Sequence, residues 1–266
     1  MKLTLLGTQG WIPTRERATT CFAVEDGERL LVFDAGTGLS RLARPPFQPL
    51  VERSREIHVL LTHYHLDHTC GLAYLPGIFP GRHVTVHAPA ASLTGVDPGR
   101  ALEDLIRPPY NPREWRRLDG VELREVQAGA NDIAGHRVVV RAQQHTDTSV
   151  AYRLDDALVV STDTAADPAT AEFAAGASVL LHEAWYLGGG PPATASASPP
   201  PGYAGHSEAL AVAALAAAAR VGRLVFVHLN PLEDETAYTA MAAAARRVFR
   251  AVEVGSDGAR FSLDLM

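Results

Sequence analysis

The run Ile57-His58-Val59-Leu60-Leu61-Thr62-His63-Tyr64-His65-Leu66-Asp67-His68 decides how the rest of the chain is read. Its first part, Ile57–Thr62, is compact and apolar and reads as a buried strand. The residues that follow put three histidines and an aspartate on the loop leaving that strand. Imidazole and carboxylate are the ligands preferred by a borderline ion such as Zn²⁺, and so dense a cluster beside a core has little use without one. On an extended backbone His63 and His65 alternate and point the same way. Asp67 and His68 lie where a helix can begin, so they address a second position nearby.

On both sides of this run the chain alternates strand and helix signals. Upstream, Leu3–Leu6, Cys21–Glu25 and Arg29–Phe33 have β patterns, and Asp26-Gly27 between the last two is a hairpin turn. A short helix fits before Pro45-Pro46. Downstream the β patterns are His83–His87, Val121–Gln127, Arg137–Gln143, Val150–Leu154, Leu158–Ser161, Ser178–His182 and Leu224–Val227. Helices are expected at Ala101–Arg107, Pro168–Ala174, Glu208–Arg220 and Glu233–Arg250. In each half a set of strands gives way to helix–strand alternation, and two sheets between helices, an αββα sandwich of the α/β class, bury that pattern. The stretch 188–205, rich in Gly and Pro, reads as a long loop, either a surface insertion or a flap. No linker divides residues 1–266, so a single domain is expected.

Composition narrows the function. The chain has 266 residues, 47% of them hydrophobic and 20% charged, which supports a real core and excludes wholesale disorder. A net charge of −6 disfavours stable nucleic-acid binding, which needs a basic surface. No apolar run approaches the ~20 residues that span a bilayer, so no membrane partner is expected. MKLTLLGTQG reads as a strand and a glycine turn rather than a signal peptide. With Cys21 and Cys70 alone there is no disulfide framework, and a cytoplasmic location is the expectation. Cys70 is expected to be a small apolar residue rather than a thiol ligand.

The His63–His68 motif resembles the HxHxDH signature of the metallo-β-lactamase superfamily of binuclear metal hydrolases. The resemblance extends from Leu5-Leu6-Gly7-Thr8 to His228. Gln144-His145-Thr146, Ser161-Thr162-Asp163-Thr164 and Phe226-Val227-His228 resemble its remaining ligand segments. It implies one metal on His63, His65 and His145 and another on Asp67, His68 and His228, with Asp163 shared. The ions would be two divalent metals, Zn²⁺ first, with Mn²⁺ or Fe²⁺ as alternatives. Asp34, in Phe33-Asp34-Ala35-Gly36, resembles a buried aspartate that supports the metal loop; a plain turn aspartate is the competing reading.

Leu181-His182-Glu183-Ala184 and Gly205-His206-Ser207 are similar to segments of the ribonuclease Z and zinc phosphodiesterase-like branch. There Ser207 would cap the helix Glu208–Arg220 and place His206 at a helix N-terminus suited to a phosphate. Glu183 would orient the imidazole and keep it protonated. Asp67, His206 and Glu183 are thus the catalytic candidates, and the substrate class is a small phosphodiester or another ester. Only 17 residues separate His145 from Asp163, too few for the tRNA-gripping arm that ribonuclease Z carries there. By analogy a homodimer is expected. A carboxyl-ester, thioester or lactone hydrolase is the alternative enzyme, and a ligand-sensing member of the fold is the non-enzyme alternative. His58, His83, His87 and His136 have no motif context and read as surface or core residues.

Overall fold

A computed structural model describes residues 1–187 and 205–263 of the chain; all of the 188–205 loop except Gly205 lies outside the described residues. In chain order the strands are β1 (Lys2–Gly7), β2 (Cys21–Asp26), β3 (Arg29–Phe33), β4 (Glu56–Leu60), β5 (Val84–Pro89), β6 (Val121–Val126) and β7 (Gly129–Ile133). They continue with β8 (His136–Gln143), β9 (Ser149–Leu154), β10 (Leu158–Ser161), β11 (Val179–Glu183), β12 (Arg223–Val227), β13 (Val252–Val254) and β14 (Arg260–Ser262). Two sheets result, β14-β1-β2-β3-β4-β5-β6 and β13-β12-β11-β10-β9-β8-β7. Each has an antiparallel half, β14 to β3 or β7 to β10, followed by a parallel half, β3 to β6 or β10 to β13.

Period-two alternation explains why both faces of the central strands are apolar. Leu3, Leu5, Phe22 and Val24 point between the sheets and meet Tyr152 and Val225. Leu6, Cys21, Ala23 and Leu30 face outward onto the helical layer that carries Leu39 and Leu102. On the far side, Leu180, Leu224 and Phe226 pack under the helices Ala209–Ala219 and Glu235–Ala245. The first of these, ALAVAALAAAA, combines high helix propensity with small side chains, and it buries Ala209, Val212, Ala213 and Ala216 at helical spacing. This is the αββα sandwich.

Element bounds differ from expectation where local chemistry was misread. The helix expected at Ala101–Arg107 starts earlier, at Pro98, because the Asp97 side chain accepts from Arg100 N and Pro98 fits the first turn. The helix expected at Glu233–Arg250 is shorter, Glu235–Ala245, capped by Asp234. The helix expected from Glu208 begins at Ala209 and is not capped by Ser207, whose hydroxyl instead donates to Thr164 O at 2.6 Å. Its first amide, Ala209 N, is already bonded to Tyr186 O, so this helix end offers less to a phosphate than the spacing suggested. Among the described residues no helix is long and apolar enough to cross a membrane.

Candidate metal centre

The loops leaving β4, β8, β10 and β12 converge on one end of the sandwich and bring seven side chains together. Ligand-type atoms of His63, His65, His145 and Asp163 lie within 4.8 Å of one another, as do those of Asp67, His68 and His228. Asp163 links the two groups. Its Oδ1 is 3.3 Å from His145 Nε2 and 4.0 Å from His63 Nε2, and its Oδ2 is 3.0 Å from both His68 Nε2 and His228 Nε2. His63 Nε2, His68 Nε2 and Asp163 Oδ2 are buried and have no hydrogen-bond partner of acceptable geometry. Buried polar atoms are rarely left so, and a nitrogen and oxygen donor set of this kind fits a divalent cation.

The imidazoles are oriented from behind. His68 Nδ1 meets Asp34 Oδ2 at 2.8 Å, and His145 Nδ1 donates to Gly205 O at 2.9 Å, so in both rings Nε2 faces the cluster. Asp34 is fully buried and also accepts from Thr62 N at 2.7 Å and from the Thr62 hydroxyl, which itself lies 3.1 Å from His63 Nδ1. Asp34 is therefore more than a turn residue. His65 Nε2 meets Asp147 Oδ2 at 3.0 Å, which leaves Nδ1 for the cluster. Trp11 N donates to Asp67 Oδ2 at 2.7 Å, and Gly10 presses on the His228 ring. Among the described residues, seven non-glycine residues have positive φ, and four are here: Trp11 (55°), Asp34 (60°), Asp163 (51°) and His228 (47°). Such conformations cost about 1–3 kcal/mol each and persist where the surroundings enforce them.

Glu183 and His206 stand beside this cluster. Glu183 is fully buried at the end of β11; its Oε2 is 2.7 Å from His206 Nδ1 and 3.8 Å from His228 Nδ1, while Oε1 accepts from Thr164 N at 2.5 Å. It thus supports the Asp163 loop as well as His206. His206 stacks on Trp185, with ring centroids 4.0 Å apart and planes 8° from parallel. A His206 nitrogen also falls within 4.8 Å of ligand atoms of Asp163 and His228.

Sequence reasoning missed Thr62, Trp185, Asp147 and the Gly10-Trp11 contact, because each acts through distance in space and has no spacing signature. Cys70 is partly buried and lines a cavity next to Asp67. His58 and His87 pair with each other at 3.0 Å, and His136 pairs with Asp155 at 2.8 Å, both away from the cluster.

Burial lowers the pKa of His63 and His145, which favours the neutral form a metal needs. Burial works the same way on His228, but the carboxylates of Asp163, Asp67 and Glu183 outweigh it and push it up to about 10. His68 is likewise raised, by Asp67, Asp163 and Asp34 against burial. Burial opposes ionisation of Asp67, yet His68 and His228 hold its carboxyl well below the ordinary range. A raised histidine contributes stability that is complete below its ordinary value near 6.5 and is lost as pH rises through about 10. A metal must displace that proton, so metal affinity should climb with pH up to about 10. Zinc titration of metal-free protein at pH 7 in buffers of different ionisation enthalpy should show release of about one proton or more per chain; no release would contradict this charge balance. At Gly10 an added Cβ would sit 2.5 Å from His228 Cε1. Gly10→Ala is therefore expected to displace that ring and lower the metal content while circular dichroism stays native, and unchanged metal content would remove the contact's importance.

The model of the Metallo-beta-lactamase superfamily matches residues 14–228. The chain belongs to this superfamily. Ribonuclease Z of Kineococcus radiotolerans is 30% identical in an alignment of 174 positions that covers 62% of this chain and 51% of that protein. The chain spans about half the length of the curated relatives it matches first. Ribonuclease BN of Escherichia coli is 24% identical in an alignment covering 99% of this chain and 100% of that protein. The solved structure of the metallo-beta-lactamase fold protein YhfI from Bacillus subtilis superposes with a TM-score of 0.74 at 21% identity, covering 98% of each chain, and shows the shared fold.

Proposed function

We propose that this chain, residues 1–266 acting as one unit, is a hydrolase of small phosphodiesters that works with two divalent ions, Zn²⁺ first. In this reading His63, His65 and His145 hold one ion, Asp67, His68 and His228 the other, and Asp163 both. The ions supply Lewis acidity at the phosphoryl oxygens and a water acidic enough to react at neutral pH. Asp67, whose Oδ2 lies 3.3 Å from His68 Nε2 and 3.4 Å from His228 Nε2, would take up that water's proton. His206 would donate a proton to the oxygen that leaves, held in place by Glu183 and by the face of Trp185. Free Cys21 and Cys70 suit a reducing, cytoplasmic setting.

The observation that carries the reading is the 2.7 Å pair between His206 and the buried Glu183, directly beside the donor cluster. A carboxyl-ester or lactone hydrolase has little use for a cationic donor there. Transfer-RNA trailers are poor candidates as substrates. Only 17 residues separate His145 from Asp163, β9 and β10 fill most of them, and the net charge is −6. The alignment with ribonuclease BN runs to 322 positions, at least 56 more than the 266 residues of this chain. A panel of aryl, nucleotide and headgroup diesters with Zn²⁺ or Mn²⁺ is the direct test. Diester turnover without cleavage of precursor tRNA is expected; turnover of carboxyl esters alone would transfer the site to the ester-hydrolase reading.

A further inference from the structure

A cavity of about 600 Å³ opens beside Asp67, within the range of small-molecule sites. Trp11, Leu66, Cys70 and Tyr74 line it, and its wall includes His65 and Asp67. Trp11, Leu66 and Tyr74 are 59, 64 and 49% exposed, large apolar surface left open at the mouth of a polar cluster. Among the described residues, no lysine or arginine lines it. The Gly10-Trp11 backbone is locked there: Gly10 has no room for a Cβ against His228, Trp11 holds φ 55°, and Trp11 N is bonded to Asp67 Oδ2. A strained residue fixed to a candidate metal ligand, with its indole open, is a rigid aromatic surface at a defined distance from the reacting centre.

We infer that this cavity binds the organic group that stays on phosphorus, and that the group is planar and aromatic, held between Trp11 and Tyr74. The inference rests on the phosphodiesterase reading for the identity of what is attached. His145, His206 and His228 do not line the cavity. The His206 ring lies 5.1 Å from that of His145 and 5.9 Å from that of His228, beside site residues that the cavity does not include. In this reading water supplies the new oxygen, the P–O bond to the group outside the cavity breaks, and the leaving oxygen takes a proton from His206 as Asp67 takes one from the water. The P–O bond to the group in the cavity stays intact, and the product is an aromatic phosphate monoester. A cavity whose described lining carries the Asp67 carboxylate and no lysine or arginine suits one aromatic substituent and is a poor match to a polyanion with a second phosphate on that side.

Product-side binding tests this without turnover. Phenyl phosphate and methyl phosphate are titrated calorimetrically into zinc-loaded protein, with acrylamide quenching of tryptophan fluorescence as a second readout. Trp11 is the exposed tryptophan, since Trp115 and Trp185 are each 6% exposed. Phenyl phosphate should bind about tenfold more tightly and shield the fluorescence, and Trp11→Ala should abolish the preference. Because Trp11 reaches Asp67 through its backbone, the variant retains that bond. Tyr74→Ala, away from the strained loop, should weaken the same preference and guards against a local rearrangement. Equal affinity for the two phosphates, or a preference indifferent to both substitutions, overturns the subsite while the phosphodiester reading stands. Rejection of both phosphates together with Trp11-dependent binding of phenylacetate overturns the phosphodiester reading and supports the aromatic subsite.

Discussion

Asp163→Asn is expected to empty both metal positions and to lower diester turnover by roughly 10⁴-fold or more. The carboxylate reaches both halves of the cluster, 3.0 Å from His68 and His228 and 3.3 Å from His145. Its ionised form is favoured despite burial, because His228, His68 and His63 surround it and hold its pKa well below the ordinary value. An amide can fill the same volume but cannot neutralise two cations. Asparagine is the informative substitution because the residue sits at φ 51°, a conformation asparagine tolerates and alanine resists. Elemental analysis should find about two equivalents of metal in the unaltered protein and well under one in the variant, with native circular dichroism in both. Full occupancy in Asp163→Asn would sink the shared-ligand assignment.

His206→Ala should behave in the opposite way, keeping both metals while kcat falls by roughly 10²-fold or more. The interaction it removes is made mainly in the transition state, so KM should move less than kcat. If protonation is its role, a diester with a poor leaving group should lose more rate than one with an activated leaving group. Equal losses would point to charge stabilisation, and full activity on every diester would withdraw the main support for the phosphodiesterase reading. Glu183→Gln is not expected to be a milder copy. Glu183 also accepts from Thr164 N and lies 3.8 Å from His228 Nδ1, so its variant should lose metal as well as rate. A plain orienting role for Glu183 predicts metal retention, and metal content separates the two cases.

Local sequence determined most of the architecture of this protein. The β patterns from Leu3 to Val227 fall on observed strands, because central strands buried on both faces are visible as apolar runs and half-buried ones such as His136–Gln143 as alternation. The strands with no expectation were Gly129–Ile133, a polar edge strand, and the three-residue Val252–Val254 and Arg260–Ser262, too short to show a period. The nine candidate residues that the fold brings together were legible because each follows or ends a recognisable strand or sits in a short motif. What the sequence could not supply was who supports whom. Asp34 and Thr62, Asp147 and His65, Trp185 and His206, Gly10 and His228 are pairs made by the approach of separate loops, and no spacing along the chain encodes them. Ser207 shows the reverse error: its position fits a helix cap, but the Asp163 loop comes close enough for the hydroxyl to bond Thr164 O instead. Patterning along one chain fixes which faces are buried. Only the docking of the two sheets decides which polar groups meet at their common end, since a buried donor or acceptor takes whichever partner the packed fold brings within reach.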